Sequence, residues 1–282
     1  MPNKIDNGLT GLAMLDGFTV LEVEGADAGA FLQAQCMNDV AALATGQWQW
    51  NGWLNPKGRV IALFALLRTD ERRYLLVLPD YPANELKSQF QRYVFRSKLG
   101  LTGETPWSVA GSFGPVAAAE GEWRLPMASG DLPRELRLVP AGTALPPASD
   151  AWNAAWRAAD IAAGFPRLGV EQRESWTPQM LSLGRFSAYS LKKGCYPGQE
   201  IVARTHYLGQ AKRGLIRISG SDLAAGRPLT NEPGGMAIGE IVCATADGEQ
   251  ALAVASLDKS EAALWSGELP LQRLALPSAE PA

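Results

Sequence analysis

The sequence predicts an α+β protein that ends in a small β-barrel, and two patterns carry this prediction. Between residues 18 and 163, short strand-like segments and amphipathic helical stretches follow one another in a mixed order. After Gly209, four short alternating segments are separated by turns rich in glycine, aspartate and proline. Strands at this spacing are typical of a small barrel of about 70 residues, so we place a domain boundary near residues 207–212.

The first part of the chain is predicted from alternation, turn residues and helix starts. Residues 18–23 alternate as a half-buried strand does, and Asp27 follows as the N-cap of a helix. The run Asn55-Pro56-Lys57-Gly58 is typical of a turn between two strands. Pro82 begins a second helical stretch, in which Leu86, Phe90 and Tyr93 share a face. The strands named here are residues 60–67 and 73–78, and Trp48-Gln49-Trp50 and Trp53-Leu54 precede the turn.

The second part begins with a loop-rich region and continues with a helix and the barrel. Residues 111–150 are rich in alanine, glycine and proline and contain only short strand-like pieces. Residues 151–163 have a helical pattern, which Gly164 followed by Pro166 brings to an end. The predicted barrel strands are residues 215–218, 237–243, 251–256 and 271–276.

Charge and hydropathy narrow the functional classes. The net charge of the 282-residue chain is -3, so no global positive field attracts nucleic acid, and we expect no direct nucleic-acid partner. A secretory signal has a basic start followed by an apolar run, and the first 15 residues do not show this pattern. The most apolar run, residues 60–67, is much shorter than the roughly 20 residues that span a bilayer. We therefore expect a cytoplasmic protein with no membrane partner.

The cysteine and histidine counts argue against a metal site. The three cysteines, Cys36, Cys195 and Cys243, are widely spaced and form no CxxC pair, so neither a disulfide framework nor a zinc site is predicted. His206 is the one histidine, which leaves few general bases and no histidine-rich metal site. Cys36 and Cys243 lie in apolar segments and are predicted to be core residues.

The most informative segment is the run KKGCYPGQEIVAR at residues 192–204. Two glycines and a proline indicate a tight loop that places Cys195 near the cations of Lys193 and Arg204. A neighbouring cation favours the thiolate, which is the nucleophilic and metal-binding form of cysteine. The alternative is a small buried residue in a glycine-rich turn, and the chemistry of the segment leaves both interpretations open.

This run resembles the signature of the YgfZ folate-binding family. The family is a branch of the aminomethyltransferase-like fold and includes mitochondrial iron–sulfur assembly proteins. Three further blocks resemble segments of the same family in the same order, and together the four blocks span most of residues 17–213. These blocks are GADAGAFLQAQCMNDV at residues 25–40, NPKGR at residues 55–59 and GFPRLGVEQRESWTPQM at residues 164–180.

The resemblance implies a fold and a domain organisation. The expected fold is the aminomethyltransferase-like folate-binding fold, built of ferredoxin-like units and completed by the C-terminal small β-barrel. Residues 1–50 and 105–207 are expected to form a discontinuous folate-binding core domain. Residues 51–104 are expected to form an inserted α+β domain, and residues 208–282 the barrel.

The resemblance also implies a ligand and site residues. Cys195 corresponds to the family's functional cysteine, and Lys193 to the lysine beside it. The implied cofactor is tetrahydrofolate or a derivative, which Phe18 and Trp156 would contact through their aromatic rings. Arg204 belongs to a basic segment that would attract the glutamate tail of folate or an acidic partner. The alternatives are core packing for the two aromatic residues and an ordinary solvated face for the cations.

One departure from the aminomethyltransferases points away from catalysis. In those enzymes the strand after the NPKGR-like turn carries an acidic pair, and the alignment places Ala62 and Leu63 there. Neither side chain can transfer a proton. The resemblance therefore implies a non-catalytic helper for the assembly or repair of iron–sulfur enzymes, including tRNA-modifying ones, with iron–sulfur proteins or assembly factors as partners.

Two alternatives from other classes remain open. The first is a folate-dependent one-carbon (aminomethyl) transferase whose acid is Asp39 or Glu200. The second is a protein-interaction scaffold that has lost its ligand.

Overall fold

The computed structural model describes residues 11–127, 133–207, 209, 211–259 and 263–277. They form a five-stranded sheet, a four-stranded sheet and a closed six-stranded barrel, all of antiparallel strands. The strands are β1 (Gly11–Met14), β2 (Phe18–Glu24), β3 (Trp48–Leu54), β4 (Val60–Arg68), β5 (Arg73–Pro79), β6 (Gly100–Thr102), β7 (Trp107–Phe113), β8 (Trp123–Met127), β9 (Arg134–Pro140), β10 (Arg213–Ser219), β11 (Pro228–Thr230), β12 (Ala237–Ala244), β13 (Gln250–Ser256), β14 (Leu264–Ser266) and β15 (Leu269–Leu274). The α-helices are α1 (Ala28–Gln35), α2 (Ala83–Gln91), α3 (Asp150–Ala163) and α4 (Gln199–Tyr207).

The five-stranded sheet is the central layer, in the order β3-β4-β5-β2-β6. Strand β4 is apolar along nearly its whole length because both of its faces are buried. Phe64 and Leu66 pack into the cluster that includes residues of α1 and α2, whereas Leu63 and Leu67 pack into the cluster that reaches the barrel. The sheet therefore separates two cores.

The four-stranded sheet has the order β1-β7-β9-β8, and α3 packs against it. A Cβ atom at Gly111 would lie 2.6 Å from the Trp156 ring, so glycine at this position lets the helix approach the strand. Strands β8 and β9 lie in the region expected to be loop-rich. Arg134 and Arg137 are buried in β9, and their charges hide its apolar alternation in the sequence.

The barrel confirms the predicted C-terminal architecture. Its strand order is β10-β13-β12-β11-β14-β15, and it closes by pairing β15 with β10. Strands β11 and β14 were not predicted because each has three residues, too few for alternation to be recognised. The last strand lies at Leu269–Leu274 rather than at residues 271–276.

The predicted division into a discontinuous core domain and an insertion stays a prediction. Its limits differ from those of the sheets, because β2 pairs with β5 along its full length and with β6. Strand β3 also crosses the predicted limit at residue 50. Among the described residues, the helices are too short and too polar to cross a membrane.

Candidate functional site: an exposed cysteine loop

The loop between residues 190 and 198 exposes the thiol of Cys195, whereas Cys36 and Cys243 are buried as predicted. Burial raises the pKa of the Cys36 thiol to about 12, although Lys193 acts in the opposite direction. Burial likewise raises the pKa of Cys243 to about 11. Because the thiolate is the reactive form, the two buried thiols are held inert and reactivity is left to Cys195.

Lys193 lies beside Cys195 in the chain, but its side chain is directed into the protein. The ammonium Nζ donates to the carbonyl oxygens of Gln33 (2.6 Å), Cys36 (2.6 Å) and Asn38 (3.0 Å), at and beyond the end of α1. Burial lowers the pKa of Lys193 to about 8, while the three carbonyl acceptors favour the charged form. The lysine therefore ties the cysteine loop to α1.

The motif that ends this loop packs directly on the NPKGR turn. A Cβ atom at Gly198 would lie 2.6 Å from the carbonyl oxygen of Asn55 and 2.7 Å from Cα of Gly58. Both glycines have positive φ angles, 78° and 70°, which other residues adopt at a cost. The Gln179 side chain donates to the carbonyl oxygen of Val202 at 2.8 Å. Three sequence blocks thus meet at one place.

Asn38 connects the fourth block to the same place. Its buried side-chain amide donates to the carbonyl oxygens of Trp50 (2.9 Å) and Ser187 (2.7 Å). Its own carbonyl oxygen accepts from Lys193. Asn38 therefore joins strand β3, the segment before the cysteine loop and the loop itself, which explains why the resemblance extends over blocks far apart in sequence.

Trp50 lies within an array of four aromatic rings, which sequence reasoning did not identify. The Trp50 ring lies 5.5 Å from Trp48 and 4.2 Å from Phe165, and Phe165 lies 5.5 Å from Phe186, all between ring centroids. Trp50 and Phe165 are buried, whereas Trp48 and Phe186 are partly exposed. The alternation in Trp48-Gln49-Trp50 was the available signal, since both rings must face the same side of β3.

Phe18 and Trp156, the two predicted ligand-contacting aromatics, are each covered by an arginine. The guanidinium carbon of Arg167 lies 4.7 Å from the Phe18 ring centroid, and that of Arg134 lies 5.0 Å from the Trp156 ring. Trp156 is 1% exposed and also contacts Phe113 at 5.4 Å. The ring is thus buried, with Arg134 over it and Phe113 in a T-shaped contact.

The covering arginines belong to a buried ion-pair network. Arg134 Nη1 lies 2.6 Å from Asp160 Oδ1, and Arg167 donates to Asp160 Oδ2 at 2.9 Å. Arg167 also donates twice to Asp80, through Nε at 2.5 Å and Nη2 at 2.8 Å. The network joins α3 to the end of β5. Nε and Nη2 of Arg134 and Nε1 of Trp156 are buried, and no acceptor among the described residues meets them.

The remaining candidate residues are dispersed. Ala62 and Leu63 are buried on opposite faces of β4. Asp39 is half-buried and accepts from the Gln33 side chain at 3.0 Å. Arg204 and Glu200 are exposed on α4.

Two open grooves lie away from these candidate residues. Their volumes are about 540 and 350 Å³, and none of the predicted site residues lines either of them. The groove of about 540 Å³ is at the barrel, and the other lies beside Trp107 and Trp123.

The sequence of the chain is similar to one family model and to several known proteins. Residues 10–119 match the family model of the GCVT N-terminal domain. An uncharacterized protein of Haemophilus influenzae is 32% identical over 204 residues, covering 72% of this chain and 71% of that protein. The tRNA-modifying protein YgfZ of Colwellia psychrerythraea is 30% identical over 233 residues, covering 73% and 71%. The protein of that name from Aliivibrio fischeri is 28% identical over 251 residues, covering 80% and 76%.

The solved structures give the fold. The crystal structure of glycine cleavage system aminomethyltransferase T from Bartonella henselae superposes with a TM-score of 0.76. The match covers 95% of this chain and 85% of that one at 16% sequence identity. The aminomethyltransferase-like fold is therefore confirmed, and at this identity the likeness concerns the fold alone.

Proposed function

The chain belongs to the family of the tRNA-modifying protein YgfZ, and from this membership we propose that it is a tetrahydrofolate-binding accessory protein for iron–sulfur enzymes. In this proposal it supports the assembly or repair of such enzymes through the thiol of Cys195. Enzymes that modify tRNA are among its clients, in keeping with the name of the relatives. Its partners are iron–sulfur proteins or assembly factors.

The observation that carries the proposal is the convergence of the four motif-bearing blocks on one exposed thiol. Lys193 and Asn38 join the loop to α1 and β3, and Gly198 packs it on Gly58. This support leaves Cys195 exposed, although a small apolar residue of its kind is usually buried. A thiol fixed at the surface by so many long-range contacts is suited to meeting another molecule.

The donors beside Trp156 support folate as the ligand. Arg134 presents buried N–H groups at Nε and Nη2 next to the Trp156 ring, which has an unmatched Nε1–H of its own. Carbonyl and ring-nitrogen acceptors of a pterin suit such donors at an edge. The partly exposed rings of Trp48 and Phe186 offer aromatic faces for stacking. In the proposal, Trp156 and Arg134 bind through hydrogen bonds and the array supplies the apolar wall.

The residues at the aminomethyltransferase acid positions favour a helper over a transferase. Ala62 is 2% exposed and Leu63 is 5% exposed, and neither side chain can give or take a proton. The acids named as substitutes, Asp39 and Glu200, lie elsewhere, on the α1–β3 connection and on α4. A folate that carries a one-carbon group would supply one-carbon chemistry when bound. In the proposal, Trp156 and Arg134 only bind and orient the folate.

The proposal is tested by separating folate binding from the role of the thiol. We expect calorimetry to show binding of tetrahydrofolate by the wild-type protein and by Cys195→Ala. In a strain that lacks the gene, we expect iron–sulfur enzyme activities to fall and Cys195→Ala not to restore them. Cys243→Ala, which removes a buried thiol, is the matched control and should restore them.

Four outcomes would contradict the proposal. The first is full restoration by Cys195→Ala, and the second is a deletion strain with normal iron–sulfur enzymes. The third is turnover of methylenetetrahydrofolate with an aminomethyl acceptor above background, which would favour the transferase. Absence of folate binding, together with unchanged intrinsic fluorescence on adding folate, would instead favour a ligand-free scaffold.

A further inference from the structure

A surface away from the cysteine loop combines exposed aromatic rings with cations. It lies on α2 and on the connection from α2 to β6. Phe95 is 88% exposed and Tyr93 is 39% exposed. We call these two residues and the four cations around them the aromatic–basic patch; the cations are Lys87, Arg92, Arg96 and Lys98.

The four cations of this patch are not neutralised by ion pairs with other described residues. Within the described parts of the chain, none of its four cations forms an ion pair, and Arg92 makes one side-chain hydrogen bond, to the neutral Gln89 at 3.2 Å. Residues 86–99 contain no aspartate or glutamate, although the net charge of the protein is -3. A compact positive patch on a net-negative protein attracts polyanions locally.

Phe95 is presented at a cost to the fold. Its φ angle is 40°, in the left-handed region that bulky side chains rarely adopt, so the backbone here is strained. Because the ring is exposed, the fold also lacks the stabilisation that burying its apolar surface would give. Neither cost improves stability, so the conformation is explained better by a binding role for the ring than by packing.

The segment that presents these rings is firmly anchored. The Asp27 carboxylate accepts from the backbone N–H of Lys98 at 2.6 Å, and the Asp27 N–H donates back to the Lys98 carbonyl oxygen at 3.3 Å. The Tyr93 ring lies 6.3 Å from Trp53, which in turn contacts Phe90 at 5.3 Å. The sequence pattern placed Tyr93 on the apolar face of α2, but the helix ends at Gln91 and leaves its ring half-exposed.

We propose that the aromatic–basic patch binds single-stranded nucleic acid, with bases stacked on Phe95 and Tyr93 and phosphates contacted by the cations. Tyr93 and Phe95 lie between Arg92 and Arg96, and Lys98 follows two residues later, so the rings are flanked by cations on both sides in the sequence. An acidic protein surface would meet the cations but would not need two exposed rings between them. The proposal goes beyond the folate-binding function and does not depend on it.

This inference revises the expectation of no direct nucleic-acid partner. That expectation rested on the net charge and on the cations of residues 192–217, which are not accompanied by an interleaved aromatic and glycine recognition motif. The structure draws attention to a different set of cations, because it shows which aromatic rings are exposed beside them.

Fluorescence anisotropy with a labelled oligouridylate of about 12 nucleotides tests the proposal. We expect the wild-type protein to bind it and Phe95→Ala to weaken binding at least about fivefold, because stacking on the ring is lost. The double variant Arg92→Ala/Arg96→Ala should lower the slope of log affinity against log salt concentration by about 1.4, as two phosphate contacts are removed. Unchanged thermal unfolding would show that the variants are folded.

Matched variants separate this site from general effects of exposure and charge. Met236→Ala removes an equally exposed apolar side chain, and Lys212→Ala/Arg213→Ala removes two cations elsewhere. Both should leave binding unchanged. A deoxythymidylate of the same length distinguishes RNA from single-stranded DNA, and a duplex should bind more weakly because its bases are already stacked.

Several outcomes would overturn the proposal. These are no binding by the wild-type protein, equal losses in the patch and control variants, and duplex binding as tight as that of the single strand. Binding of polyglutamate as tight as that of the oligonucleotide, with Phe95→Ala neutral, would assign the patch to an acidic protein surface.

Discussion

The cysteine loop and the surroundings of Trp156 were both predicted as parts of one site, but they are built in opposite ways. The loop is held by backbone contacts, with carbonyl oxygens around Lys193 and two closely packed glycines, and it leaves Cys195 exposed. Around Trp156, buried charged side chains hold the structure together and cover the ring. The comparison shows that the loop exposes its cysteine because backbone groups maintain its packing, whereas the packing around Trp156 uses the ring itself.

The largest effect is expected where the ion-pair network is broken. Asp160→Asn leaves Arg134 and Arg167 buried without their shared counter-charge, and loss of a buried partner costs about 3–5 kcal/mol. Urea denaturation should show this loss of the free energy of unfolding. The alkylation rate of Cys195 should remain unchanged, since the loop is supported independently.

Asp222→Asn is the matched control, because the Asp222–Arg227 pair is exposed. It should change stability little, as exposed pairs usually do. Similar effects of the two variants would contradict the role given to the buried network.

The next largest effect is expected from Gly198→Ala, which disturbs the contact of the cysteine loop with the NPKGR turn. The added Cβ atom would meet the backbone of Asn55 and Gly58, and alanine is strained at a φ of 78°. We expect a loss of about 2 kcal/mol or more, with an altered alkylation rate of Cys195.

Gly194→Ala is its control within the same loop. Among the described residues other than its two chain neighbours, none has an atom within 4 Å of a Cβ atom at this position. The variant should therefore unfold and react as the wild-type protein does. Equal sensitivity at the two glycines would mean that the loop does not rely on its contact with the NPKGR turn.

A smaller effect is expected from Lys193→Met. The change removes three hydrogen bonds to carbonyl oxygens, and a loss of about 2 kcal/mol is expected from bonds to a charged donor. Lys192→Met removes an exposed neighbouring charge and should have little effect on unfolding. If instead Lys193→Met lowered only the reactivity of Cys195 at unchanged stability, the lysine would act on the thiol rather than on the fold.

Much of this fold follows from the sequence, and the exceptions have physical reasons. Strand β2 was recognisable by its alternation, β4 and β5 by their short apolar runs, and helices α1 to α3 by their helical patterns and flanking residues. Strand β9 was not, since its buried Arg134 and Arg137 are neutralised by acids that lie elsewhere in the chain. Pattern reasoning cannot identify partners that only the folded chain brings together.

The same limit applies to the site. The resemblance around Cys195 implied a functional loop, which stays a prediction, and the exposed thiol is contrary to the alternative of a small buried residue in a turn. The direction of the Lys193 side chain could not be foreseen, because its acceptors come from the end of α1. Nor could the pairing of Trp50 with Phe165, which are contributed by β3 and by the segment after α3.

The smallest expected effect concerns the buried thiol of Cys36 and appears as a dependence on pH. Burial raises its pKa from 9.0 to about 12 in the folded protein. The unfolded chain therefore loses this proton first, so the stabilisation is complete below pH 9 and is lost as the pH rises from 9 towards 12. Between pH 8 and pH 10, the free energy of unfolding should fall by about 1 kcal/mol on account of Cys36.

Cys36→Ala should remove this part of the pH dependence of the free energy of unfolding. The change can also lower the free energy of unfolding at every pH because the sulfur atom is lost from the core, but that loss does not depend on pH. Cys195→Ala should retain this pH dependence, because this change leaves the buried thiol of Cys36 in place. Urea unfolding at the two pH values distinguishes the variants. An equal reduction of the pH dependence in both would mean that the two sulfur atoms have similar surroundings, and the contrast between an inert core thiol and an available loop thiol would then fail.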